Sequence, residues 1–260
     1  MSVSSPEVQY HVDLRPGEVG RYVFLPGDPG RCEAIATYFA DPRHVAQHRE
    51  YNTYTGSLLG VPVSVTSTGI GGPSSAIAIE ELARCGADTF IRVGTSGAMQ
   101  EWITPGDLGI ISGAIRDEGT SLHYLPIEFP AVANIDVTLA LIEGAKRTGA
   151  RAHVGIAQSK DSFYGQHEPG RMPVAKRLQE RWAAWMAGGA ICSEMEAATQ
   201  YIVAATLGVR AGGIMMIAGH PDQREMTDEE QAGLDLDLAI RTAVEGLKAL
   251  IEADQSAGRA

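Results

Sequence analysis

Short apolar runs alternate along the chain with longer stretches whose apolar residues recur every three or four positions. The runs "YVFL" (Tyr22 to Leu25), "VPVSVTST" (Val61 to Thr68), "DTFIRVG" (Asp88 to Gly94) and "DLGIISGAI" (Asp107 to Ile115) read as strands, as do "RAHVGIAQS" (Arg151 to Ser159), "AICS" (Ala190 to Ser193) and "RAGGIMMIAG" (Arg210 to Gly219). Between them, "RCEAIATYFA", "SSAIAIEELARCG", "IDVTLALIEGAKRTG", "VAKRLQERWAAWMAGG" and "EMEAATQYIVAATLG" read as helices. Near the end, Ile240, Ala243, Val244, Leu247, Leu250 and Ile251 share one helical face. This alternation predicts an α/β fold: one domain over 1–260 with a mixed central sheet flanked by helices. In such folds ligands sit beyond the carboxyl ends of strands, so the residues just after each strand are the candidates for chemistry.

Composition narrows the partners. The 260 residues are 44% hydrophobic and 20% charged, enough for a large core. A net charge of -11 without a lysine or arginine block argues against a nucleic-acid backbone. A few arginines can still hold a small anion locally. Cys32, Cys85 and Cys192 are scattered and form no CxxC pair, so a zinc site or a disulfide framework is not expected. The N-terminal segment lacks an apolar signal core, and no run approaches the ~20 apolar residues of a membrane span. The expected compartment is the cytoplasm.

The strand ends carry the chemistry. "PGDPGR" (Pro26 to Arg31) offers turn amides and Arg31 to an anion, or else is an ordinary turn capped by Asp28. "RVGTSGA" (Arg92 to Ala98) places an arginine in an apolar strand. Arg92 is then either a phosphate fork, with Thr95 as hydroxyl donor, or one half of a buried salt bridge. "STGIGGPSS" (Ser67 to Ser75) is a glycine-rich turn before a helix, and "QHREYNTYTG" (Gln47 to Gly56) reads most simply as a solvated charged face. "SKDSFYGQH" (Ser159 to His167) supplies Lys160, Phe163 and Gln166, a stacking ring and a two-way amide suited to a flat heterocycle; Phe163 and Tyr164 fit a core equally well. "SEMEAA" (Ser193 to Ala198) sets two acids around a methionine. Treated as helical neighbours they do not share a face, which points to one acid capping the helix and the other left for vicinal hydroxyls. Together these are phosphate donors, a heterocycle clamp and a diol carboxylate.

In this order "LPGDPGR", "HREYNTYTG", "STGIGGPSSAIAIEEL", "RVGTSGAMQ", "SLHYLPIEFPAV", "DSFYGQ" and "SEMEAAT" resemble the nucleoside phosphorylase-I family over most of the chain, from about Val23 to Ala218. "SLHYLPIEFPAV" and "DSFYGQ" resemble its pyrimidine branch. The resemblance implies a partly barrel-like sheet and reversible phosphorolysis of uridine, or of deoxyuridine or thymidine, to uracil and ribose 1-phosphate. It implies phosphate ligands at Gly27, Arg31, Arg49, Arg92 and Thr95, with Arg49 supplied by a neighbouring subunit. It implies ribose contacts from His11, Thr95, Met195 and Glu196, with His11 also crossing between subunits, and base contacts from Phe163 and Gln166. Inorganic phosphate is the implied co-substrate, with no organic cofactor. Glu50, Ile70 and Ser74 match a monovalent-cation site, for potassium, at a dimer interface. The implied assembly is a hexamer built as a trimer of dimers.

Two positions depart from the family pattern. Glu168 stands where relatives carry a base-binding arginine, and Pro221 where they carry an arginine on the loop after the last strand. Lys160, His167, Arg171 and Arg224 are the cations that can replace them, Lys160 being nearest the base motif. The catalytic set is then Arg92, Glu196 and Lys160, with Lys160 and Arg171 added to the base contacts. Other readings are a purine nucleoside phosphorylase, for which Asp222 would serve, a nucleosidase using water, and a catalytically silent nucleoside-binding protein.

Overall fold

The computed structural model describes residues 8–224 and 226–259. Its first half runs β1 (Tyr22–Pro26), α1 (Arg31–Ala36), β2 (Ala40–His48), β3 (Tyr51–Leu58), β4 (Val61–Thr66), α2 (Gly72–Arg84), β5 (Thr89–Ala98) and β6 (Leu108–Asp117). The second half runs β7 (Ala131–Val132), α3 (Ile135–Thr148), β8 (Ala152–Lys160), α4 (Phe163–His167), α5 (Ala175–Ala187), β9 (Cys192–Glu194), α6 (Ala197–Leu207), β10 (Arg210–Gly219), α7 (Asp228–Ala232) and α8 (Leu236–Ser256). The strands form one mixed sheet in the order β10-β6-β8-β9-β5-β1-β4-β3-β2. Because β10 also pairs with β5, the strands β5, β9, β8, β6 and β10 close into a five-membered barrel. The α/β class and the barrel-like sheet are as expected.

The central strands are buried on both sides, as parallel strands covered by helices must be. Every residue of β1 is buried, and β1 runs parallel to β4 and β5. On one face α2 and α6 pack over Val23, Leu25, Phe90 and Met215; on the other α3 and α8 cover Tyr22, Phe24, Ile91 and Ile214. Cap chemistry bounds α3: the Asn134 side chain accepts the Val137 N–H, and Gly149 ends the helix at φ 70°.

Three sequence expectations change. The stretch from Gln47 to Gly56 is no simple solvated face. It lies in the β2–β3 hairpin, with Tyr51 buried beneath it. Register shifts along β2 and its exposed outer positions hid the two-residue period. The first helix stops at Ala36, and Phe39 turns into the core against Phe24. Glu194 closes β9 rather than opening a helix, since α6 begins only at Ala197.

Helices α3 and α8 approach closely at glycines. A Cβ on Gly144 would lie 2.4 Å from the Thr242 carbonyl oxygen and 2.5 Å from the Gly246 amide nitrogen, both backbone atoms that cannot step aside. Gly144→Ala is therefore expected to cost about 1–3 kcal/mol and to lower Tm by several degrees in a thermal melt. An unchanged Tm would contradict this contact.

Candidate functional site

The site is organised around Arg92, on β5. Its side chain is 4% exposed, and it meets two acids: Nε donates to Glu194 Oε2 at 2.8 Å, and Nη2 contacts Glu196 Oε2. Gly94 makes room, because a Cβ there would lie 3.0 Å from Nη2 and 2.9 Å from the Met215 sulfur. Burial alone would lower the Arg92 pKa, but the charges of Glu196 and Glu194 overcome it and the net shift is upward. Burial pushes Glu196 upward as well, against the pull of Arg92 and the Gly71 amide. We take the pair as ionised, since a guanidinium does not surrender its proton.

Of the two sequence readings of Arg92, the structure shows the salt bridge. The side chain also has a donor left over. Nη1 is buried and finds no hydrogen-bond partner among the described residues. An unsatisfied cationic N–H is costly, and here the side chain lines a cleft of about 700 Å³.

The two acids of "SEMEAA" converge for a reason that the helical view missed. Ser193 and Glu194 lie in a strand, but Glu196 lies in the turn before α6, at φ -135° and ψ -28°, and that bend brings both acids onto one guanidinium. Glu194 also accepts the amides of Glu196 at 2.8 Å and Ala197 at 2.9 Å, capping α6. Glu196 is not idle: its Oε1 accepts the Gly71 N–H at 2.6 Å. Gly71 has φ 95°, a conformation that glycine adopts without strain, so the loop "STGIGG" is tied to the acid pair through its backbone.

The cleft gathers Gly27, Arg31, Thr95, Lys160, Phe163, Met195 and Glu196 around Arg92. Burial lowers the Arg31 pKa, Asp28 opposes that, and the facing charge of Arg92 adds to it. Two cations thus share one end of the cleft, an arrangement that an anion relieves. Asp28 keeps a structural part, accepting the Gly30 N–H at 2.9 Å in the turn before α1. At the other end the Phe163 and His167 rings meet at a tilt of 35° with centroids 4.2 Å apart. Phe163 and Tyr164 are not core residues, being 51% and 57% exposed. Burial first, then the Lys160 charge, lowers the His167 pKa. Lys160 is buried, its Nζ donates to Ser193 Oγ at 2.8 Å, and burial depresses its pKa to about 8. Gln166 lies beside it, its Oε1 2.6 Å from the same hydroxyl.

Comparison with known proteins places the chain in a family. The phosphorylase superfamily model matches residues 21–253. The chain is 48% identical to a uridine phosphorylase of Treponema pallidum, over 97% of this chain and 98% of that protein. It is 39% identical to a uridine phosphorylase of Escherichia coli, over 93% and 98%, and 37% identical to a guanosine phosphorylase of Halorubrum lacusprofundi, over 93% and 99%. The chain belongs to the phosphorylase superfamily.

Some candidates lie elsewhere in this superfamily member. His11 and Arg49 are absent from the cleft lining. His11 pairs with Glu81 at 2.6 Å, the Arg49 guanidinium covers the Tyr10 ring at 5.7 Å, and His48 reaches the His11 carbonyl at 2.9 Å. The two candidate cross-subunit residues thus sit side by side on one surface. Arg171 is not brought to the cleft: it pairs with Glu168 at 2.6 Å over the Tyr164 ring. Arg224 lines an adjoining hollow with Arg31, Gln166 and His167, and holds Glu230 at 2.6 and 2.9 Å. Asp222 accepts the Arg224 amide and lines neither space. Glu50 and Ser74 lie against Gly69, and Ile70 beside it lines the cleft together with Arg31 and Arg92. Sequence reasoning missed Ser193 and Gln158. Their signal was the polar pair Gln158 and Lys160, two apart at the end of a strand.

Arg92 compensates two buried carboxylates, so removing it does more than weaken ligand binding. Arg92→Ala is expected to destabilise the fold by about 3–5 kcal/mol in denaturant titration. Adding Glu194→Gln and Glu196→Gln should recover part of that loss. A single variant as stable as the parent would rule out the ionic triad.

Proposed function

We infer that this chain is a uridine phosphorylase, converting uridine and phosphate reversibly to uracil and ribose 1-phosphate. The observation that carries the reading is the orphaned Nη1 of Arg92, a buried cationic donor at the end of the cleft that Arg31 and Thr95 also line. In this reading Arg31, Arg92, Thr95 and the amide of Gly27 hold phosphate. Glu196 receives the ribose hydroxyls with the lone pairs that Arg92 and Gly71 leave open, and Met195 lies against the sugar. Phe163 stacks on the base, and Gln166 and Lys160 meet its polar edge.

The bond from the anomeric carbon to the base nitrogen lengthens, the sugar gains oxocarbenium character, and phosphate attacks from the opposite face. Lys160 faces the charge that grows on departing uracil. Holding both substrates in line supplies up to about 7–11 kcal/mol, and fixed charges placed where charge develops supply much of the rest. The enzyme needs no covalent intermediate.

The reading includes an oligomer, a hexamer of paired subunits, in which His11 and Arg49 of one copy complete the site of the next. Their adjacency on one surface supports this. It also includes a cytoplasmic role in pyrimidine salvage; no helix among the described residues is long and apolar enough to cross a membrane. Glu50, the Ile70 carbonyl and Ser74 are hard oxygen donors in one place, suited to hold potassium at the contact between copies. The purine alternative is disfavoured because Asp222, the acid that would serve it, lies outside the cleft.

Base release from uridine, thymidine and inosine, each with and without phosphate, tests the reading. Uracil release that requires phosphate is expected. Inosine cleavage, or release without phosphate, would overturn it.

The Lys160 ammonium supplies a second test. It must be protonated to stabilise departing uracil, and its pKa of about 8 lies below the ordinary 10.5. Glu194, Glu196 and Cys192 face it and favour the charge, Arg92 opposes it, and burial outweighs them all. Uridine kcat/KM should therefore fall as pH rises through about 8, and Lys160→Met should lower the rate and flatten that limb. For stability the sign is opposite: the cost of burying the charge is present below about 8 and is relieved as pH rises toward 10.5. A limb that survives in the Lys160 variant would show that another group titrates.

A further inference from the structure

A line of polar side chains runs behind the base end of the cleft and crosses three adjacent strands. On β6, Asp117 takes Arg181 of α5 at 2.5 Å through Oδ1 and accepts the Gln158 Nε2 donor at 2.8 Å through Oδ2. Gln158 Oε1, on β8, lies 2.5 Å from Ser193 Oγ on β9. Ser193 Oγ in turn accepts Lys160 Nζ at 2.8 Å and lies 2.6 Å from Gln166 Oε1. Gln158, Lys160 and Ser193 are all buried. Nothing in the chemistry of phosphate or ribose requires this line, and it ends on Lys160, which lines the cleft, and Gln166, which lines the adjoining hollow.

Hydrogen-bond arithmetic gives the line a direction. A hydroxyl has one proton and two lone pairs. Asp117 fixes the Gln158 amide with its carbonyl toward Ser193, so the Ser193 proton is committed there and one lone pair takes Lys160. One proton cannot serve a second carbonyl. The conflict resolves at Gln166, whose carboxamide, turned by half a rotation, gives its NH2 to the remaining lone pair. Its carbonyl oxygen is then left for an N–H donor on the ring edge, beside the Lys160 ammonium for a ring oxygen.

We propose that Ser193, held by Gln158 and Asp117, is the positioning residue that sets Gln166 and Lys160 as a matched acceptor and donor for the imide edge of the base. It selects bases that present an N–H beside a carbonyl, and it acts through its two neighbours rather than on the reacting atoms. The proposal rests on the nucleoside reading above and adds to it the element that orients the base.

The test is Ser193→Ala, with kinetics in both substrates and calorimetry of uridine binding without phosphate. Losing the hydroxyl should lower kcat/KM for uridine at least about tenfold, the scale of a hydrogen bond to a charged group. The phosphate KM should be unchanged, and Tm should fall by only several degrees, the cost of leaving the hydroxyl's buried partners unmet. Ser193→Thr should restore the rate. In a Lys160→Met background, Ser193→Ala should cost clearly less than it does alone, because part of its action passes through Lys160. A Ser193→Ala enzyme that binds and cleaves uridine like the parent overturns the positioning role. So does a loss shared equally with phosphate KM, or one that multiplies fully with Lys160→Met. A parent protein that neither binds uridine nor releases uracil instead overturns the nucleoside reading itself.

Discussion

A guanidinium held out of water between two carboxylates is the constraint on which the rest of the site depends. Arg92 is placed by a central strand, Glu194 by a short strand antiparallel to it, and Glu196 by the loop that opens α6. Each acid then does a second job. Glu194 caps α6, and Glu196 holds the glycine loop ahead of α2 through the Gly71 amide. One ionic cluster therefore sets the positions of two helices and one loop around the cleft. Its cost in desolvation is large, and it is sustained by the hydrogen bonds that surround both acids.

The same cluster leaves a precise electrostatic deficit. Both acids are directed to Arg92, whose Nη1 lacks an acceptor, and the Arg31 charge shares its end of the cleft. At the other end Lys160 is bonded to a neutral hydroxyl. The cleft is thus cationic at two separated points inside a chain whose net charge is -11. A phosphate at one end and a departing anionic base at the other match those points. The local field, not the overall charge, decides what binds.

Barrel closure has a chemical consequence. Pairing of β5 with β9 brings Gly97 opposite Ser193, and pairing of β8 with β9 brings Gln158 beside Ser193 and Ser159 beside Glu194. Phosphate-end and base-end residues, far apart in the chain, become neighbours across single strand spacings. Rigid strands rather than loops carry Arg92, Gln158, Lys160, Ser193 and Glu194, which suits groups whose orientation matters to a fraction of an ångström.

The sequence by itself determined the α/β class, the main strands and helices, and the kinds of group at each strand end, because periodicity and turn residues are local properties. It placed Arg31, Arg92, Thr95, Lys160, Phe163 and Glu196 as candidates one motif at a time. Only the tertiary structure decided that Arg92 is both salt bridge and free donor, since that depends on Glu194 and Glu196 arriving from about a hundred residues away. Only it decided that Lys160 and His167 line the cleft while Arg171 does not, because the choice is made by how α4 and the turn after it lie on the barrel. The β2–β3 hairpin was illegible for a related reason: its outer strand is an exposed edge whose irregular register erases the alternation that burial would impose. Local pattern records what each segment can offer, and long-range packing selects which of those offers meet.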